Sequence, residues 1–269
     1  MKKAILATAL LLCSSAPALA YVPPSEFIVK TWAQKHAGPK GVRTRSVVQA
    51  VEGDKPAGPK FKLTVIYRAE DGVLRSIASD EQNQILYMNE GGEPRGLHAL
   101  TELLYDSNLA RVASALKKQG VPVKTGKELM ELHEESERLA AESSTLSLGR
   151  VKRQIAWVIG KRDGSSEAAN QLWVEKDTFQ PLKFKMGGHE VLFEGYRNYR
   201  DFPFPKTMTW SESKLDAKPF MREDLADLAV NPPELAQLSK PITHGFTDAG
   251  NSASSDVREL IQKYFDKAR

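Results

Sequence analysis

Cysteine is almost missing from this sequence: of 269 residues one is a cysteine, Cys13. It lies in an N-terminal stretch that opens Met1-Lys2-Lys3, continues through the apolar run Ala4 to Cys13 and closes on Ala18-Leu19-Ala20. A basic start, a short apolar centre and a small-residue end form the pattern of a cleavable export signal, with cleavage expected after Ala20. The apolar run has about half of the roughly 20 residues that a membrane span needs, so it is not read as an anchor. A lipidated cysteine calls for a small residue before it, and Leu12 is bulky. Cys13 is therefore expected to leave with the signal. The mature chain would then hold no disulfide, no thiolate nucleophile and no cysteine-bound zinc, although its compartment would permit disulfides.

Long apolar runs are also lacking after Ala20, because charged residues interrupt every one, so a soluble exported chain is expected. An excess of charge is lacking too. The chain has 38 basic and 34 acidic residues, and loss of Lys2 and Lys3 with the signal takes the balance from +4 to +2. That is no footprint for nucleic acid. Lys60, Lys62, Arg68, Lys183 and Lys185 fall on polar strand faces and read as solvated.

Catalytic motifs are missing as well. No Gly-x-Ser-x-Gly elbow, phosphate-binding loop or dinucleotide fingerprint occurs. His133-Glu134-Glu135-Ser136-Glu137 starts like a zinc helix but has no second histidine four residues on, so it reads as an acidic helix face. His36, His98, His189 and His244 stand alone. The expectation is a non-enzymatic protein without catalytic residues, metal or cofactor.

What the sequence does have is alternation of apolar and polar residues, the sign of half-buried strands. It is clearest at Phe61, Leu63, Val65 and Tyr67, at Leu182, Phe184 and Met186, and at Phe204, Met208 and Trp210. Weaker alternation runs over 42–51, 73–78, 84–88, 151–159, 172–176 and 191–196. Asp71-Gly72, Asp163-Gly164, Gly187-Gly188 and the stretch 177–181 supply turn chemistry between neighbours. Short links between consecutive strands predict an antiparallel sheet.

Helical spacing appears at Phe27, Ile28, Thr31 and Trp32 after Pro23-Pro24-Ser25, and at Leu97, Leu100, Leu104, Leu109, Val112 and Leu116. The second set reads as one bent helix or two short ones. A third helix is predicted from Thr125, with Leu129, Leu132, Ser136 and Leu139 on one side. A last one carries Val257, Leu260, Ile261, Tyr264 and Phe265 in a narrow apolar stripe that needs a surface to pack on. Residues 239–255 are small and polar and read as a flexible link. The expected organisation is a signal at 1–20, one domain at 21–238, and the link with its amphipathic helix at 239–269.

Leu172-Trp173-Val174-Glu175-Lys176, then Pro181-Leu182-Lys183-Phe184, then Phe204-Pro205-Lys206-Thr207-Met208, resembles the periplasmic outer-membrane lipoprotein carriers and lipoprotein-sorting proteins, the LolA-like family. The resemblance implies an α+β fold, an incomplete antiparallel β-barrel (half-barrel) with helices covering the concave face, laid over about 25–210. It also implies a periplasmic carrier or binding protein for lipid or lipoprotein acyl chains, sorting toward the outer membrane. A membrane-complex donor and an outer-membrane acceptor would be its partners.

The residues give that resemblance a mechanism. An acyl chain left in water costs about 0.8 kcal/mol per methylene, so a carrier must hide it. Phe61, Leu63, Val65, Phe184, Met186, Met208 and Trp210 on strands, with Leu100 and Leu104 on a covering helix, are the candidate lining of a lipid-binding cavity. Each is equally suited to ordinary core. The other reading is a non-enzymatic envelope module of the same fold, with a filled core, that recognises another protein.

Overall fold

The computed structural model describes residues 23–53, 55–90, 100–124, 146–160, 170–213, 218–239, 245–246 and 254–266. The export signal, the helix expected from Thr125, the Asp163-Gly164 turn and most of the link before the last helix lie outside them.

Turn residues fold the chain back on itself strand after strand. β1 (Gly41–Glu52), β2 (Lys55–Arg68), β3 (Val73–Ser79) and β4 (Ile85–Glu90) form one meander. β5 (Leu146–Val151), β6 (Gln154–Ile159), β7 (Gln171–Glu175), β8 (Pro181–Met186) and β9 (His189–Glu194) form a second. Between β8 and β9 both Gly187 and Gly188 take positive φ, 56° and 81°, as a two-residue hairpin turn requires. β10 (Arg197–Tyr199) and β11 (Phe202–Phe204) make a small separate hairpin. β12 (Thr207–Glu212), the long β13 (Pro219–Val230) and the two-residue β14 (Gly245–Phe246) complete the set.

Twelve strands join in one antiparallel sheet in the order β14-β4-β3-β2-β1-β13-β12-β9-β8-β7-β6-β5. Among the described residues β14 and β5 do not pair with each other, so the sheet stays open. The antiparallel half-barrel of the α+β class is thus observed. Its two halves meet where β13 pairs with β1, from Val42 opposite Val230 to Ala50 opposite Met221.

Three departures from the expected strands have local causes. Residues 151–159 are a hairpin rather than one strand: β5 and β6 join through Lys152-Arg153, with Lys152 at φ 52°, a turn that lacks the usual glycine or asparagine. Phe204 belongs to the small hairpin, while Met208 and Trp210 lie on β12. β13 was not expected at all. Its alternation breaks where Arg45 faces Asp227 but Ser46 faces Leu225, a bulge that skips Ala226.

Residues paired across a sheet share a face, so the register sorts the side chains. One row runs Phe61, Val48, Glu223, Met208, Phe193; another runs Leu74, Tyr67, Val42, Val230. This inner face carries one core cluster extending from Tyr87 on β4 to Trp157 on β6. A second, small cluster of Val151, Ala156 and Leu182 lies apart from it, so Leu182 does not share the environment of Phe184.

Helices cover the inner face. α1 (Ser25–Lys35) buries Ile28, Val29, Trp32 and Ala33. α2 (Leu109–Lys118) begins at Asn108, whose side chain accepts from the amides of Ala110 and Arg111, and buries Val112 and Leu116. The chain before it carries Leu100, Leu104 and Tyr105 inward. Arg111 holds this cover to the sheet by bonding both carboxylate oxygens of Asp106, the Tyr67 hydroxyl and the Ala69 carbonyl. α3 (Ser255–Asp266) rests on the β2 side of the same face.

His36 closes α1 and is 2% exposed. Nδ1 lies 3.1 Å from the Trp32 carbonyl oxygen and Nε2 3.0 Å from that of Pro203, so the neutral ring donates to one of them. Burial lowers its pKa to about 4 against the two carbonyls, which raise it. Between pH about 6.5 and about 4 the unfolded chain takes up a proton that the folded chain does not, so stability falls as pH drops through that window, by roughly 3 kcal/mol. Urea midpoints at pH 7 and 4.5 check this. His36→Gln should lose less stability over the interval than the parent; an equal loss would contradict it.

Candidate ligand-binding site

Eight of the nine side chains expected to line a cavity are buried, six on strands of the inner face and two in its cover: Phe61, Leu63, Val65, Phe184, Met208 and Trp210, then Leu100 and Leu104, are each at most 4% exposed. Met186 packs half-buried at its margin. The structure distributes them beneath different covers.

Phe184 lies under α1, with its ring 6.2 Å from that of Trp32 and 5.2 Å edge-on to that of Phe193. Leu100 and Leu104 belong to the cover itself, beside Tyr105, which contacts Tyr67 at 6.2 Å and Phe204 at 5.1 Å. Phe61 and Trp210 lie under α3. Tyr264 of that helix stands edge-on to both, at 5.8 and 5.6 Å, and Phe265 meets Tyr87 at 4.5 Å. Leu260 and Ile261 complete the buried stripe. The apolar face of the last helix thus finds its surface on the half-barrel floor, and the chain's own side chains fill that part of it.

That floor is not wholly apolar. Glu223 on β13 is 1% exposed. Ser46 Oγ donates to its Oε1 at 2.6 Å and Tyr264 Oη to its Oε2 at 3.0 Å. Both oxygens accept, the pattern of an ionised carboxylate. Thr44, fully buried on β1, bonds the Tyr105 hydroxyl at 2.9 Å. Burial pushes the Tyr264 and Tyr105 hydroxyls well above the ordinary tyrosine range, and the nearby Glu223 charge pushes both the same way. Both stay protonated and able to donate.

Sequence reading missed Glu223, Ser46, Thr44 and Tyr105. The available signal was the placing of Met221, Glu223 and Leu225 at every second position, which puts a carboxylate on an apolar face. The β13 bulge hides it by ending the alternation early. Among the described residues no three His, Cys, Asp or Glu side chains meet in a way that could hold a metal ion, and no helix is long and apolar enough to cross a membrane. One open hollow on the outer face is lined by Val51, Leu192 and Pro219 together with Lys152, Glu194, Lys206 and Arg222.

No family model matches the chain, and no curated protein is similar to it. Solved structures are. A LolA superfamily protein from Nitrosomonas europaea is 9% identical, with 81% of this chain and 99% of that one covered and a TM-score of 0.45. A domain named for outer membrane lipoprotein sorting, from Vibrio parahaemolyticus, is 10% identical over 77% and 92%, with a TM-score of 0.45. A DUF1329 family protein from Desulfovibrio piger is 10% identical over 79% and 95%, with a TM-score of 0.40. The superposition is loose, and the ligand of none of these proteins passes to this chain through it.

Proposed function

We propose that this protein is an exported, periplasmic, non-catalytic binder of lipid or lipoprotein acyl chains, which holds an apolar chain on the inner face of its half-barrel in the space α3 fills. The observation that carries this reading is the nature of that cover. One 12-residue helix, at the end of a polar link, closes the floor between β4 and β12 with four side chains. A helix of that length has little stability alone in water, so it is ordered by the surface it covers and is readily exchanged for another apolar occupant.

Export rests on the Met1 to Ala20 pattern, which lies outside the described residues. Delivery toward the outer membrane, with a membrane-complex donor and an outer-membrane acceptor, follows from the sequence resemblance and is part of the same proposal. A filled-core envelope module that recognises another protein is the second reading. The burial of Phe61, Met208 and Trp210 against protein favours it.

Organic extraction of protein purified from an envelope fraction, followed by mass spectrometry, separates the two. Acyl lipid near one equivalent per chain is expected. Lipid-free protein, together with no uptake of a fluorescent acyl probe, would leave only the second reading.

A further inference from the structure

Four large apolar side chains are exposed among the described residues, and three of them share one border of the inner face. Phe27 on α1 is 48% exposed, Leu148 on β5 52% and Ile155 on β6 43%. Their nearness follows from the fold. Leu148 pairs with Trp157, so Ile155, two residues back along β6, lies diagonal to it on the same face. The Ile155 carbonyl accepts the Lys176 amide at 3.0 Å, which ties this strand end to the loop 176–180. Phe179 of that loop meets the Phe27 ring edge-on at 5.9 Å and so ties the loop to α1. Trp157 is buried in the main core and Phe179 packs half-buried against it, so the three exposed side chains continue that core out to the surface. A group of exposed apolar side chains of this kind marks a place of contact.

Cations frame this border. Lys30 on α1, Arg150 on β5, Arg153 in the β5–β6 turn and Lys176 in the loop are all exposed, and none of the four forms an ion pair among the described residues. Lys35 adds its charge over the Phe179 ring, 5.9 Å from the centroid. Acids are fewer here. Asp177 is exposed and Glu26 half-buried, while Glu175 is buried and accepts the amides of Asp177 and Thr178. Lys152 is answered by Glu194.

We propose that this border docks on an anionic phospholipid membrane, with Phe27, Leu148 and Ile155 entering the interfacial layer and the cations around them meeting lipid phosphates. Neither half suffices alone. Three side chains bury too little surface to hold a protein on a neutral bilayer, and exposed cations alone are screened by salt; buried apolar area and charge attraction add. The charge also selects the membrane over a second copy of this chain. A twofold contact sets the same patch against itself, so its unpaired cations would face one another. The α3 seat is built on β2, β4 and β12, so this surface goes beyond acyl binding and its test needs no acyl ligand.

Co-sedimentation with vesicles tests this on protein purified from an envelope fraction. One set of vesicles is phosphatidylcholine; in the other about a third of it is replaced by phosphatidylglycerol. At low salt the anionic vesicles should bind about tenfold more tightly or better, and the difference should shrink at about 0.5 M salt. Leu148→Asp and Ile155→Asp, both at exposed positions, should each weaken anionic binding about tenfold, because each removes an apolar contact and adds a repelled charge. Ile85→Asp makes the same change at the fourth exposed side chain, on β4 at the far end of the sheet, and should weaken it less than about twofold. Arg153→Gln combined with Lys176→Gln should bring the two kinds of vesicle within about threefold of each other. Failure to bind anionic vesicles, equal binding to both kinds, or a Leu148→Asp effect no larger than that of Ile85→Asp overturns the proposal. A dimer that Leu148→Asp dissociates, seen by sedimentation velocity without vesicle binding, overturns it too and assigns the border to a second copy. None of these outcomes bears on whether the inner face holds an acyl chain.

Discussion

Met208→Glu should lower the unfolding free energy by about 3–5 kcal/mol at neutral pH, the usual range for an uncompensated buried charge. Met208 is 4% exposed, and its cross-strand neighbours are Glu223 on β13 and Phe193 on β9. The new carboxyl would lie beside an existing carboxylate on the face that excludes water. Its pKa would be driven up in the folded state by burial and by the like charge. The sign follows. Below the unfolded pKa, about 4.3, the added group is neutral in both states and its charge costs nothing; above it, the unfolded chain ionises while the folded one resists, so the deficit grows with pH. Urea unfolding at pH 4 and pH 7.5 measures this, with Met208→Gln as the uncharged control. A deficit independent of pH, or equal in the two variants, would remove Glu223 as its cause. Retention of an acyl ligand should fall along with stability.

That result depends on a neighbour invisible along the sequence, and the contrast shows which features were legible. Alternation at Phe61, Leu63 and Val65 identified both the strand and its buried face, because period two is a property of consecutive residues. Asp71-Gly72 and Gly187-Gly188 marked their turns because positive φ selects residue type. The Val257-Leu260-Ile261-Tyr264-Phe265 stripe announced a helix in need of a surface. The identity of that surface depends on pairings between residues far apart: Phe61, Trp210 and Glu223 come from three strands and meet only through the β2-β1-β13-β12 order. The β13 bulge concealed the strand that completes this order. Lys152-Arg153 turned a chain that residue type alone would have kept straight. Which partner that buried face meets is a fact of packing, and at Phe61 and Trp210 it is α3.

Packing also sets the other large effect. Phe184→Ala is expected to cost about 3–5 kcal/mol, the range for a fully buried aromatic cut back to a methyl. The ring is 0% exposed between Trp32 and Phe193, under the helix that also carries His36. Its neighbours are anchored on α1, β9 and β7 and cannot all move into the void, so the loss combines transfer with an unfilled cavity. Two strand positions on, Met186 is half-buried at the sheet margin, and Met186→Ala should cost below about 1.5 kcal/mol because its surroundings can relax. If Trp32 and Phe184 act as one contact, Trp32→Ala with Phe184→Ala should cost less than the two separate losses combined. Chemical unfolding of the four variants gives all these values. A Met186→Ala loss equal to that of Phe184→Ala would mean that the inner face is equally filled out to its edge, with no gradient from a rigid floor under α1 to a looser rim. Such a gradient is what a half-barrel needs if it is to hold its shape while its second cover, α3, gives way to a ligand.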